Sequence, residues 1–248
     1  EKKDKKDKMS FDEKCKKKVK EHLIHKENLS EIKTLIPVHQ IDTKMRLTSH
    51  TMEFGKIKAK VGSSIVKDTL AFTFNSVNDM SNDFFNKVNF YTNLIDTKVS
   101  SKDLAYFAPA LKPYNETWIL NCEAKGHVTS FSVKNMDLKF GKKSQVKGNV
   151  AFNGLPDFFE TFIEANISKA NLDASDFKQY VSNKTAFEFI ERIGKLKASG
   201  NFVGFPLDFV ADGNFETNVG NVISDVNLKI NENQDKSTYK GSVKTEKL

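Results

Sequence analysis

The chain has 248 residues, a formal charge of +7 and 38% hydrophobic residues, enough for one large domain or two small ones. Its 21 Phe far outnumber the 5 Tyr and 1 Trp, so the aromatic surface has few polar handles and suits an apolar face better than sugar binding or base stacking. Much of the lysine excess sits near the start of the chain without interleaved aromatics, which argues against a nucleic-acid surface.

Residues 1–8 are a charge run that reads as a solvated arm. Ser10 followed by Glu13 forms a capping box, and Phe11, Cys15, Val19 and Leu23 recur at intervals of four, so a helix is expected over 11–24. Its narrow apolar stripe places it on a surface, the protein's own or a membrane's. Residues 1–40 are therefore taken as a lysine-rich arm with an amphipathic helix, and 41–248 as a β segment truncated at both ends.

From Ile41 the hydrophobic period switches to two. Met45 and Leu47, then Met52 to Val61, then Leu70, Phe72 and Phe74 are successive strand candidates. A short helix is expected over 101–111, limited by Pro109. Trp118, Leu120, Cys122 and Ala124 alternate cleanly. Phe131 and Val133 share one parity while Met136, Leu138 and Phe140 share the other, so a bulge is expected near Asn135. Val150 and Phe152 form one more strand face, stopped by Gly154-Leu155-Pro156-Asp157, and Ile163, Ala165 and Ile167 resume it. Ser175 is read as a helix cap before Phe177, and a helix over 185–193 is expected to end at Gly194. Phe209, Ala211 and Phe215, then Val226, Leu228 and Ile230, and finally Tyr239 to Val243 return to strands.

The unit repeats. Asn93, Leu94, Val99, Asp103 and Leu104 match Asn166, Ile167, Leu172, Asp176 and Phe177 at a constant offset of 73 residues, and Gly200-Asn201-Phe202 echoes Gly148-Asn149-Val150. Such repeats indicate an architecture that grows by adding strands. The expected fold class is mainly β, an elongated, curled sheet with a few short helices. One strand residue in two is apolar, so one face of the sheet is greasy. That face must curl onto itself, meet a second sheet, or hold something apolar.

No catalytic constellation emerges, and an enzyme is not expected. His22 and His25 lack a third ligand, and His39, His50 and His127 read as isolated and exposed, so no metal site is expected. Phosphate loops and nucleophile elbows are absent. Asp103 and Asp176 recur where helices begin, which reads as capping. Cys15 and Cys122 lie in dissimilar surroundings, so no disulfide is expected and the redox compartment stays open.

The motifs SKDLAYFAPAL (101–111), DLKFG (137–141), GLPD (154–157), TFI (161–163) and GNFVGFPLDFVAD (200–212) together resemble the TamB-type translocation and assembly module proteins of Bacteroidetes, members of the AsmA-like superfamily. The resemblance covers roughly 45–230 and rests on structural punctuation. It implies an internal fragment of a periplasmic protein that is anchored in the inner membrane through an N-terminal helix and reaches an Omp85-type outer-membrane barrel through a C-terminal domain. It further implies a β-taco whose hydrophobic groove carries phospholipid between the membranes without catalysis. The alternative is a scaffold for outer-membrane β-barrel assembly with the same Omp85-type partner. No cofactor is expected beyond bound phospholipid or detergent.

The candidate lining of such a groove is Phe72, Phe74, Trp118, Leu120, Phe131, Val133, Leu138, Phe140, Val150, Phe152, Ile163, Ile167, Phe209, Phe215, Val226, Leu228 and Ile230. Phe140 and Phe152 are expected to be neighbours in it.

Overall fold

A computed structural model describes residues 38–105, 111–181, 184–231 and 237–246. The chain separates into two units, Glu1–Ile36 and Pro37–Leu248. All described residues belong to the second, and the helix expected over 11–24 lies outside them.

Alternation of apolar and polar side chains produces twelve strands: β1 (Val38–Leu47), β2 (Thr51–Val61), β3 (Ser64–Thr73), β4 (Asn89–Ser100), β5 (Thr117–His127), β6 (Ser130–Phe140), β7 (Ser144–Asn153), β8 (Phe162–Asp173), β9 (Lys195–Phe205), β10 (Asp208–Thr217), β11 (Gly220–Lys229) and β12 (Thr238–Glu246). They form one antiparallel sheet in sequence order, each strand pairing only with its sequence neighbours, so β1 and β12 are its edges. β1 begins at Val38, inside the stretch 1–40 read as arm.

Connections leave the sheet alternately at two rims. The near rim carries the links β1–β2, β3–β4, β5–β6, β7–β8, β9–β10 and β11–β12; the far rim carries the others. In the β3–β4 link lie α1 (Val77–Asn82) and α2 (Phe84–Lys87), with Asp79 accepting from the Ser76 N–H at 2.9 Å as in a capping box. On the far rim, α3 (Ser101–Leu104) covers only the first turn of the helix expected over 101–111, and residues 106–110 lie outside the described set. A 3₁₀ turn (Ala174–Phe177) and α4 (Lys184–Ile193) link β8 to β9. As expected, α4 stops at Gly194, at φ +69°, whose N–H donates to the Ile190 carbonyl at 3.1 Å.

The bulge expected near Asn135 is present: the β6–β7 register slips between Val133 and Met136, and Asn135 has φ +52°. Similar slips occur at Lys56, Asp68 and Asp96, all at positive φ. The bulged N–H groups of Asp96 and Asn135 donate to the side-chain oxygens of Asn121 and Asn149 on the next strand, at 2.8 and 3.0 Å. Each slip reverses parity once, and this keeps both halves of a strand presenting apolar residues to one side.

The repeat pairs at offset 73 occupy β4 and β8 and the turns that follow them. The reading of Asp103 and Asp176 as helix caps is corrected here. The caps are Ser100, accepting from Lys102 N–H, and Asp173, which also displaces Ser175 from the expected cap. Asp103 and Asp176 instead reach back to the preceding far-rim hairpin. Asp103 Oδ2 accepts from Ser63 N–H at 2.9 Å and Ser64 Oγ at 2.5 Å. Asp176 accepts from the N–H groups of Lys142 and Lys143 at 2.8 and 2.9 Å and from Ser144 Oγ at 2.8 Å. The same serines close each loop, since Ser100 N–H donates to Ser64 Oγ and Asp173 N–H to Ser144 Oγ. The echo between Gly148 and Gly200 relates β7 to β9, only two strands apart, and their following links differ: one is a long loop and the other a tight turn.

Candidate functional site

Cross-strand partners share a face of a sheet, so the register assigns every apolar candidate to a side. Along the near rim one row runs Phe72, Phe90, Gly126, Phe131, Phe152, Ile163, Gly204, Phe209 and Leu228. The next row holds Ala124, Val133, Val150, Ala165, Phe202, Ala211 and Val226. Gly148, Ile167, Gly200 and Gly213 follow, then Leu120, Leu138, Val146, Ala170, Ala198 and Phe215. Trp118 and Phe140 stand nearest the far rim. Phe74 and Ile230 lie just past the ends of β3 and β11; Phe74 is buried and Ile230 exposed.

All seventeen candidates except Ile230 are half-buried or buried. Phe140 and Phe152 are not neighbours: Phe140 pairs with Ser144 at the far rim and Phe152 with Phe131 at the near one. They sit on adjacent strands that run in opposite directions, which linear spacing does not reveal.

Side-chain size varies across this face. Small residues predominate in the middle rows, with Phe202 and Ile167 as exceptions, and Cys122, Ala124, Val133, Val150 and Ala170 are each under 10% exposed. Bulky ones stand nearer the rims. Around the buried trio Cys122, Ala124 and Val133 pack Phe90, Leu94, Leu120, Phe131, Met136 and Phe152. The Phe131 ring meets Phe90 at 5.4 Å and Phe152 at 5.1 Å. Phe90 and Phe131 meet across Gly126, which stands between them in the row and leaves the space open.

The connections fold onto this same face at both rims. Phe84 of α2 packs edge-on against Phe72 at 5.6 Å, and Phe177 of the 3₁₀ turn against Phe140 at 5.7 Å. No second sheet lies over the face among the described residues. Burial pushes the Cys122 thiol up to about 11, so at pH 8 it stays protonated and unreactive. Iodoacetamide at pH 8 is expected to leave the Cys122 peptide unlabelled in the native chain and to label it in urea, as read by peptide mass mapping.

The opposite face mixes polar residues with exposed Tyr91, Val203, Phe205, Val210 and Ile223, and has a shallow recess of about 780 Å³ near the near rim, spanning β3 to β8, with Tyr91, Lys125, Ser132, Phe162 and Glu164 in its lining. No sequence feature pointed to it, because its lining is spread over six strands. Among the described residues no group of His, Cys, Asp and Glu could hold a metal ion, and no helix is long and apolar enough to cross a membrane. His22 and His25 lie outside the described residues. His127 corrects its expected exposure: it is half-buried, and its Nδ1 has no hydrogen-bond partner.

These features define a single-sheet antiparallel β protein with one apolar face. No protein-family model, curated protein or solved structure matches the chain.

Proposed function

We propose that the apolar face is the floor and walls of a groove, curled lengthwise, in which phospholipid acyl chains travel, and that the chain is a non-catalytic segment of a lipid-transfer bridge. The observation that carries this reading is the grading of the rows, small residues in the middle and bulky ones at both rims, with connections folding over the same face at each end. A sheet bent around an axis crossing its strands crowds its inner middle, which favours small side chains and glycines there, with Phe202 and Ile167 as the bulky exceptions, and leaves room at its walls for aromatic rings. The positive-φ bulges are the ordinary device for such curvature. Twelve strands at ~4.8 Å would make a path of roughly 50 Å. An acyl chain gains about 0.8 kcal/mol for each CH₂ kept from water, so a continuous floor suffices and no single residue need be special.

The resemblance to TamB-type proteins supports the same reading and extends it to a periplasmic setting, an inner-membrane anchor and an Omp85-type partner. One observation favours the scaffold alternative: among the described residues β1 and β12 each have one edge without a partner strand, where a strand of an outer-membrane protein could add.

The test places charge on the floor. Ala165 and Ala211 flank Phe202 in one row and are half-buried. The pair Ala165→Asp with Ala211→Asp is expected to keep the β-sheet circular dichroism spectrum and to abolish phospholipid carried through purification, read by native mass spectrometry. Lipid-free wild-type protein, or unchanged lipid in the double variant, would sink the groove and leave the edge strands as the place to look.

A further inference from the structure

Large exposed apolar residues are distributed unequally between the rims. Among the described residues, Val77, Phe85, Phe158, Phe159, Leu207 and Ile230 stand at the near rim, whereas the far rim has Val219. The near-rim tips also repeat. Asp83-Phe84-Phe85 and Asp157-Phe158-Phe159 recur at an offset of 74 residues, in the β3–β4 and β7–β8 links. Each is followed by a fully buried anchor, Val88 or Thr161, at 0% exposure. The links are thus pinned at their bases while the rings stay out, Phe85 at 44%, Phe158 at 51% and Phe159 at 60%. At the first tip the rings form a path off the sheet, Phe72 to Phe84 at 5.6 Å and Phe84 to Phe85 at 6.3 Å.

From these observations we infer that the near rim docks on the surface of a lipid bilayer through its phenylalanine tips. Four strand spacings, on the order of 19 Å, separate the two tips. Each tip exposes only one or two Phe rings, against the roughly 20–30 residues a side of a standard protein interface, and lacks the Trp, Tyr and Arg that dominate binding hot spots. A fluid bilayer accommodates separate small anchors independently. Two near-rim lysines pair with neighbouring carboxylates, Lys87 with Asp83 at 3.8 Å and Lys229 with Asp208 at 2.6 Å, which suits zwitterionic headgroups. Docking here does not require the groove to hold lipid.

The experiment is co-sedimentation of the full chain with phosphatidylcholine vesicles at about 0.5 M salt, which screens the basic residues. Wild type is expected to sediment with the vesicles. The triple variant Phe85→Ser, Phe158→Ser, Phe159→Ser is expected to lose at least tenfold in affinity, since burying even one such ring is worth roughly tenfold. The groove variant Ala165→Asp with Ala211→Asp is expected to bind as wild type does, so failure of the groove and failure of the docking give different results. Independently, Phe159→Trp is expected to be quenched by brominated phosphatidylcholine beyond the quenching of Trp118 in wild type. Wild type left in the supernatant, or equal binding by the triple variant, would overturn the proposal; the former would turn attention to a protein partner for the tips.

Discussion

Replacing Gly126 by valine is expected to destabilise the sheet by about 3 kcal/mol or more, read as a lowered urea midpoint for loss of the β signal. Gly126 has φ +138°, which side-chain-bearing residues avoid. A Cβ there would press on the Ser130 carbonyl oxygen and come within 2.6 Å of the Phe131 Cα. Both belong to the backbone of β6 and its turn, so no side-chain rotation relieves the clash. The added bulk would also part Phe90 from Phe131. An unchanged midpoint would mean that the strand can flatten here without cost, and would remove one argument for curvature.

The second large effect is at Asp176. Replacement by alanine is expected to cost about 3 kcal/mol, because the N–H groups of Lys142 and Lys143 and the Ser144 hydroxyl lose their acceptor together. Asp176→Asn retains one acceptor oxygen and is expected to fall between alanine and wild type. Burial pushes the Asp176 carboxyl up, but the Lys142 N–H, the Ser144 hydroxyl and the Lys143 N–H outweigh it, so the group lies below its ordinary value. A depressed folded value means that the contribution is complete above the unfolded value, near 3.9, and disappears as pH falls through the folded one. The stability gap between wild type and Asp176→Asn should therefore be constant from pH 6 to 8 and close below about pH 4. Asp173 is drawn down to about 2 by the Ser175 hydroxyl and N–H and then by Lys143, and shares that acid range. A gap that stays open at pH 2 would show that shape rather than charge holds the hairpin.

What the sequence disclosed was whatever depends on neighbours along the chain. The parity switch between Val133 and Met136 required the bulge at Asn135, and the apolar spacing before Gly194 required α4. Most of the strands followed from alternation and turns, whereas β4 was not among the strand candidates. Asp103 and Asp176 were misread because their partners lie on hairpins tens of residues earlier, and an Asp beside a helix start looks the same whether it caps or reaches away. The stretch Val77–Lys87 has no clean period, so α1 and α2 were not anticipated. The recurring Asp-Phe-Phe was available as a signal, but exposure, which gives it meaning, is a property of the folded rim. Placement of the candidate lining on one face follows from parity once the bulges are known, whereas the grading of sizes from rim to middle needs the register.

The strict pairing of each strand with its sequence neighbours bears on how the sheet is made. Most strand-to-strand closures span a tight hairpin, and the three longest are shortened by α1 to α4, so no distant segment must arrive before a strand can settle. A chain of this kind can begin at any hairpin and lengthen one strand at a time, each newcomer templated by the last. Assembly can then keep pace with a polypeptide delivered from one end, and damage to one hairpin should stall the growing edge locally rather than unfold what is already in place.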